Sequence, residues 1–310
     1  MLPEYGFNLA AALVGTEATC ALTLNARCKL IPSPQYRALV MIGYDDGYAA
    51  AEHADGFQRY KPVGLEMFDR RLVRNELEKG YSRHTELLPD GDGWLLVEFG
   101  GDSKDEARER AAHLLDDLKG GDHRGLKLYE GSEEQEEIWT LREGGVGHSK
   151  VPGEHPGWPS FEDAAVPPDK TGAFLRDFER LINDHGLHIS ALFGHVGDGC
   201  VHTRIDWDFR SDEGIANYRR TMEAAADLVV SYGGSLSGEH GDGQARGELL
   251  DRMFGSELTQ AFSEFKAIWD PDGRMNPGKV ADPYPLDTNL RIPVTHRIRH
   301  AGSRLLRRRR

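Results

Sequence analysis

The amino-acid sequence predicts an α+β fold, an antiparallel sheet covered by helices. Three observations carry that expectation. Apolar runs of strand length alternate with amphipathic stretches of helix length. Proline, glycine or capping residues punctuate the junctions. Beyond Pro34 the strands and helices interleave, which places the helices on one side of a sheet.

Taken in order, the first element is the stretch from Ala18 to Leu30. Cys20, Leu22, Leu24, Ala26, Cys28 and Leu30 face one way, and Thr23, Asn25, Arg27 and Lys29 the other. Period-two alternation predicts a half-buried strand. Such a strand needs neighbours, and few residues precede it, so its sheet is expected to be mostly absent or supplied by another chain. Ile31-Pro32-Ser33-Pro34 then interrupts the pattern, because proline cannot donate to a ladder. The expected organisation is a short N-terminal piece (1–33), a main domain (34–286) and a basic tail (287–310).

Within the main domain the pattern predicts strand 38–44, an alanine-rich helix through 48–52, strand 64–68 and helix 70–77. A second round follows with strand 94–99, helix 103–118 and strand 126–129. Ser103 and Glu106 have capping-box spacing, and Ala107, Ala111, Leu114, Leu115 and Leu118 form the stripe that docks on the sheet. Residues 144–168, rich in glycine and proline, form a long loop of the kind that often carries function. Helix 170–185 leads to strand 187–193. A long helix over 212–232 buries Ile215, Tyr218, Met222, Ala225 and Val229. A last helix, 257–269, stops at Asp270-Pro271-Asp272-Gly273.

Composition narrows the function classes. With 38 Lys+Arg against 51 Asp+Glu, the net charge of -13 argues against nucleic acid as the main partner. Three cysteines make neither a disulfide framework nor a CxxC clamp and suit a reduced cytoplasmic setting. No apolar run approaches the ~18 residues of a transmembrane span, and the start lacks the basic region of a secretion signal. Arg304 and Arg307 to Arg310 make a solvated tail or a docking tail for an acidic partner or the inner face of a membrane.

Chemistry concentrates in Gly194-His195-Val196-Gly197-Asp198-Gly199-Cys200-Val201-His202. Three glycines in six residues imply a tight turn. His195 and His202 flank it, too far apart to share an ion along one helix but able to converge across a strand-turn-strand. Imidazole pairs suit zinc and its first-row neighbours, a divalent metal of Zn or Mn/Fe type. A second glycine-spaced cluster, Ser237-Gly238-Glu239-His240-Gly241-Asp242-Gly243, follows the long helix. Glu239 completes a two-histidine, one-carboxylate shell with open positions for substrate, and His240 stays off the metal as a base. Either cluster alone also fits histidines that merely cap turns; two of them separated by one helix point to a site. Asp198 and Asp242 read as turn formers or partners orienting imidazoles.

GHVGDGCVH, SGEHGDGQARGELL and FKAIWDPDGRMNPGKV together resemble the C-terminal domain of FAD-linked oxidases. This is the vanillyl-alcohol-oxidase-type superfamily, in the branch of D-lactate dehydrogenases, glycolate oxidase FAD subunits and D-2-hydroxyglutarate dehydrogenases. Val14 to Thr19 is similar to the stretch that ends the FAD domain, Trp139 to Glu143 to a substrate-arginine segment, and Glu162 to Pro167 to a strand entering the active site.

The resemblance implies a ferredoxin-like cap fold, with residues 1–33 a remnant of the FAD-binding domain. It implies His195, His202 and Glu239 as metal ligands, and His240 as the base beside a 2-hydroxy acid such as D-lactate, glycolate or D-2-hydroxyglutarate. Arg142 would grip the substrate carboxylate, a job suited to a guanidinium fork; a surface helix salt bridge is the alternative. Glu17, Thr19 and Asn276 fall near the flavin, although Asn276 also fits a plain helix-stop turn. The implied partners are FAD and a separate FAD-binding or iron–sulfur subunit. Ala18 stands where the family usually has glycine, and Cys200 where asparagine is common. No glycine-rich pyrophosphate loop is present, and three cysteines cannot hold an iron–sulfur cluster. A non-catalytic metal-binding or assembly module is the alternative function, and a metal-dependent hydrolase a more distant one.

Overall fold

The computed structural model describes residues 6–80, 85–144 and 157–290. After a short helix α1 (Leu9–Leu13), the elements run β1 (Tyr36–Tyr44), α2 (Gly47–Ala54), β2 (Gly64–Asp69), α3 (Arg70–Lys79), β3 (Gly93–Gly101), α4 (Lys104–Asp117), β4 (Gly125–Tyr129) and α5 (Ser132–Gly144). They continue with β5 (Asp163–Ala165), α6 (Thr171–Asp184), β6 (Ile189–Gly194), β7 (Cys200–Ile205), α7 (Asp212–Ser231) and α8 (Leu250–Trp269). The strands form one seven-stranded sheet in the order β4-β1-β3-β2-β6-β7-β5, with every neighbouring pair antiparallel.

Local chemistry starts the helices where the sequence placed them. Asp46 accepts from Ala49 N to begin α2, and Asp69 from Arg71 N to begin α3. In α4 the Ser103 hydroxyl accepts from Glu106 N (3.1 Å), while Glu106 reaches back to Asp102 N (2.8 Å). Alternation along β1 then splits the interior. Ala38, Val40, Ile42 and Tyr44 enter one core with α2, α4, α6 and α7, and Leu39 and Met41 enter a second with α3 and α5.

Helices therefore cover both faces of the sheet, not one side as the interleaved pattern suggested. Apart from Glu66 and Glu98, the inner side chains of β1, β2 and β3 are apolar on both faces, so each face has to be buried. The predicted strand at 18–30 does not form. Leu22, Leu24 and Leu30 are 68%, 82% and 89% exposed, and no ladder reaches them. Alternation sorts side chains but supplies no hydrogen-bonding partner.

Three smaller differences follow. The long loop 144–168 contains the edge strand β5, and its residues 145–156 lie outside the described residues. Helix α8 begins earlier than expected, at Leu250, and is broken at Gly255 (φ 77°). Ile215 is only half-buried. Most of the basic tail, residues 291–310, also lies outside the described residues.

Candidate active site

Strand β6 ends at Gly194, the chain turns through residues 196–198, and β7 returns antiparallel with Phe193 opposite His202. Gly199 makes that reversal possible: its φ is +70°, and a β-carbon there would collide with the Val166 carbonyl. His195 leaves the end of β6 and His202 projects from β7, so the two imidazoles meet edge-on with ring centres 5.4 Å apart. The second cluster arrives from α7. Ser235 bridges to Ala165 on β5, and Gly238 N donates to the Asp163 carbonyl (2.6 Å). That tether lays Glu239 and His240 over β7.

One oxygen is the focus. Glu239 Oε1 lies 3.0 Å from His195 Nε2 and 3.1 Å from His202 Nε2, with His240 Nε2 3.6 Å away. The His240 ring stacks on His202 at 4.9 Å. Carboxylates back two of the three imidazoles. His195 Nδ1 donates to Glu66 Oε1 (2.6 Å), and His240 Nδ1 donates to Glu162 Oε1 (2.8 Å). His202 Nδ1 is 3.8 Å from Asp163 Oδ1, beyond hydrogen-bond reach, and has no other partner.

Asp163 is fully buried and works mostly for the backbone. It accepts from Ser237 Oγ (2.6 Å), Glu239 N (3.1 Å) and His240 N (2.8 Å). Burial pushes its pKa up, but these donors outweigh it and hold the carboxyl below its ordinary value. The hydrogen bond to Glu66 raises the His195 pKa, whereas burial lowers that of His202.

This arrangement fits a divalent cation. The proton on His195 Nδ1 is committed to Glu66, so the neutral ring aims a lone pair from Nε2 at a carboxylate oxygen that can only accept. A lone pair facing an oxygen that can only accept needs positive charge between them, and His202 Nε2 reaches the same oxygen. Two imidazoles and a carboxylate are the donor set of a catalytic zinc-type site, and Glu66 behind His195 sets that ring's tautomer. Asp163, His202, Glu239 and His240 also lie close enough to share an ion. Asp163, however, is already engaged by its donors, which leaves His195, His202 and Glu239 as the better set.

Beside them is a cavity of about 210 Å³ lined by Arg142, Glu143, Glu162, Phe193, His195, His202, Arg204, Glu239 and His240. Helix α5 carries Arg142 into its wall rather than to the surface. The arginine is buried, its Nη2 and Nε donate to Glu66 Oε2 (2.8 and 3.2 Å), and its guanidinium sits 4.9 Å over the Phe193 ring. Arg204 on β7 is a second buried arginine in the wall and donates to Glu162 Oε2 (3.1 Å).

Glu66 and Arg204 were not singled out from sequence, and Glu162 and Asp163 only as part of the segment likened to a strand entering the active site, with no role of their own. A charged residue inside an apolar strand was the available signal for Glu66 and Arg204. Glu98 carries the same signal and instead holds Arg37 and Trp139. Asp198 is an exposed turn former. Asp242 touches no imidazole; its Oδ1 is buried without a partner, and burial lifts its pKa to about 6.

Glu17, Thr19 and Asn276 do come together, in a knot beside α8. Glu17 accepts from Asp242 N (2.6 Å) and Gly243 N (2.9 Å), Thr19 Oγ1 donates to Thr16 O (2.6 Å), and Asn276 Nδ2 donates to Glu17 O (2.6 Å). Buried Lys266 fastens the knot through Thr19 O and Met275 O. These side chains hold the chain to itself, so they fit a flavin only as one wall of its site.

Residues 33–280 match the family described as FAD linked oxidases, C-terminal domain. D-2-hydroxyglutarate dehydrogenase of Pseudomonas putida is 32% identical over 288 residues, which cover 89% of this chain and 28% of that protein. Glycolate oxidase subunit GlcD of Escherichia coli is 28% identical, with 97% and 57% covered. D-lactate dehydrogenase of Archaeoglobus fulgidus is 28% identical, with 89% and 58% covered. The chain thus spans between about a quarter and three-fifths of these relatives. Among solved structures, p-cresol methylhydroxylase with substrate bound superposes with a TM-score of 0.59 at 11% identity, covering 84% of this chain and 55% of that one. Alkyldihydroxyacetonephosphate synthase reaches 0.51 at 15% identity, covering 88% and 50%. These two establish a shared fold. No helix among the described residues is long and apolar enough to cross a membrane.

Proposed function

The chain belongs to the FAD-linked oxidases, as their C-terminal domain, and from that premise we propose that it forms the substrate-and-metal half of a 2-hydroxy-acid dehydrogenase. The observation that carries the proposal is the convergence of His195 Nε2 and His202 Nε2 on one Glu239 oxygen beside a cavity walled by Arg142 and His240. The relatives' names, which specify D-2-hydroxyglutarate, glycolate and D-lactate, share this substrate chemistry.

In this reading His195, His202 and Glu239 hold a divalent cation, which supplies Lewis-acid polarisation of the substrate hydroxyl. Arg142 orients the carboxylate by charge and by its position against Phe193. His240 Nε2 accepts the hydroxyl proton. FAD, when bound, supplies the acceptor for the hydride from C2, so that the acid leaves as its 2-oxo counterpart.

The Glu17 knot supports one further step. Because Glu17, Thr19 and Asn276 are already engaged by the chain, most of the flavin's contacts come from other residues, on the same polypeptide or on a partner. The same reading assigns residues 1–33 to the edge of a flavin-binding domain. Iron–sulfur chemistry, if the assembly uses it, belongs to a separate subunit.

The test is to co-express the chain with a flavin-binding domain of its relatives, measure metal content, and add each acid without oxygen. Expected are about one metal per chain and bleaching of the flavin absorbance by at least one 2-hydroxy acid. A metal-loaded, flavin-loaded assembly that no such acid bleaches would leave a metal-binding assembly module in its place.

A further inference from the structure

We propose that Glu162 is the residue that makes His240 a base, by fixing on which nitrogen its proton sits. The proposal rests on the functional reading above for its catalytic meaning, but its physical content is a statement about one ring.

Neighbouring residues of one chain segment divide the work. Asp163 points at the 237–240 loop and holds its backbone. Glu162 spends its two oxygens on two side chains, Oε1 on His240 Nδ1 (2.8 Å) and Oε2 on Arg204 Nη1 (3.1 Å). Asp163 Oδ2 is 3.9 Å from His240 Nδ1 and already accepts from three closer donors, so Glu162 is the ring's partner. A carboxylate can only accept. His240 Nδ1 therefore carries the proton, and Nε2 presents its lone pair to the cavity.

The role of Arg204 follows from its donor chemistry. Guanidinium has donors and no acceptor, and a glutamine has one accepting and one donating end. In Glu162→Gln the amide oxygen has to face Arg204, which leaves the amide NH₂ facing His240 Nδ1. That nitrogen must then accept, so the proton moves to Nε2, the atom that should receive the substrate's proton. Arg204 thus locks the direction in which residue 162 is read. Removing it frees the glutamine to turn its oxygen back to His240.

The experiment uses the full chain labelled with ¹⁵N-histidine and loaded with Zn²⁺, with His240 assigned by its loss in His240→Asn. Imidazole NMR is expected to show His240 protonated at Nδ1 and bare at Nε2. Glu162→Gln reverses that pattern, and Glu162→Gln/Arg204→Met restores it. In the flavin-loaded assembly, Glu162→Gln lowers kcat on the order of 10⁴-fold with KM within about threefold. That is the scale seen when a buried carboxylate that orients a catalytic imidazole is neutralised. The double variant recovers at least about tenfold of that kcat.

A wild-type His240 protonated at Nε2 overturns the proposal without any variant, as does a Glu162→Gln chain that keeps the wild-type pattern. If the tautomers behave as stated while no 2-hydroxy acid is turned over, the positioning stands and the functional reading fails.

Discussion

Two clusters of polar side chains lie within one fold and are built on opposite principles. Around Glu239 two imidazole nitrogens face one carboxylate oxygen, and further carboxylates stand behind His195 and His240. Around Glu17 the side chains face the chain's own amides and carbonyls, and no common point is left between them. The first is a preorganised site resting on β5, β6 and β7. The second is a clasp that ties the N-terminal segment to the turn after α8. Proximity of polar residues is common to both. Only the direction in which their free valences point separates a site from a clasp.

The comparison predicts its largest effect at Glu239. Replacing it with glutamine removes the charge that two imidazoles converge on. Zn²⁺ affinity, measured by calorimetry, should fall by more than the about 10- to 100-fold that loss of a supporting partner costs, and turnover should fall with it. Glu17→Gln should leave Zn²⁺ affinity unchanged. If Glu17→Gln weakens metal binding as much as Glu239→Gln, the division into site and clasp is wrong.

Next comes Arg142, which the sequence placed at the substrate and the structure also pairs with Glu66. Arg142→Met leaves Glu66 buried with the His195 imidazole as its remaining hydrogen-bond partner. Breaking a buried pair by removing one partner costs about 3–5 kcal/mol. Because Glu66 keeps a hydrogen bond, the lower end is expected, about 3 kcal/mol by urea unfolding. In the flavin-loaded assembly KM for the acid should rise more than kcat falls. A variant of full stability would show that Glu66 does not depend on the arginine.

The clasp has a pH dependence of its own. Asp242 is half-buried with its Oδ1 buried and unpaired, and its pKa is lifted to about 6, above its ordinary 3.8. A raised carboxyl means the folded chain holds a proton that the unfolded chain has released. Stability from this group is therefore fully present below about pH 4 and is lost as pH rises to about 6, by roughly 3 kcal/mol at most. Asp242→Asn should be the more stable form at pH 7 by an amount that shrinks toward pH 4, measured by urea unfolding in EDTA. A difference independent of pH would mean the carboxyl titrates normally.

How much of this was legible from sequence depends on whether a residue's partner is local. The turn at 194–202 was readable because glycines and histidines within nine positions define both the reversal and its two ligands. The continuous apolar run at 38–44 became β1, paired on both sides, whereas the alternation at 18–30 found no ladder partner and became largely exposed chain. Glu66 was hidden because its partners, Arg142 and His195, are 76 and 129 positions away. Helix α5 was noticed only as a segment containing Arg142, and it is this helix that carries the arginine from the surface into the wall of the cavity.

The smallest effect concerns Ala18, which the sequence marked as standing where glycine is usual. In the clasp both Glu17 and Ala18 have left-handed backbone, with φ of 50° and 58°. An L-residue in that region costs roughly 1–2 kcal/mol, and glycine would relieve it. Glycine also gives the unfolded chain more freedom, which takes back about 0.4–1 kcal/mol. Ala18→Gly should therefore stabilise the chain by no more than about 1 kcal/mol, seen as a small shift in the urea midpoint with unchanged slope. Loss of stability would mean that the backbone at Ala18 is not left-handed in solution. The Glu17 carboxylate would then not reach the amides of Asp242 and Gly243, and the clasp would have to be held by Lys266 alone.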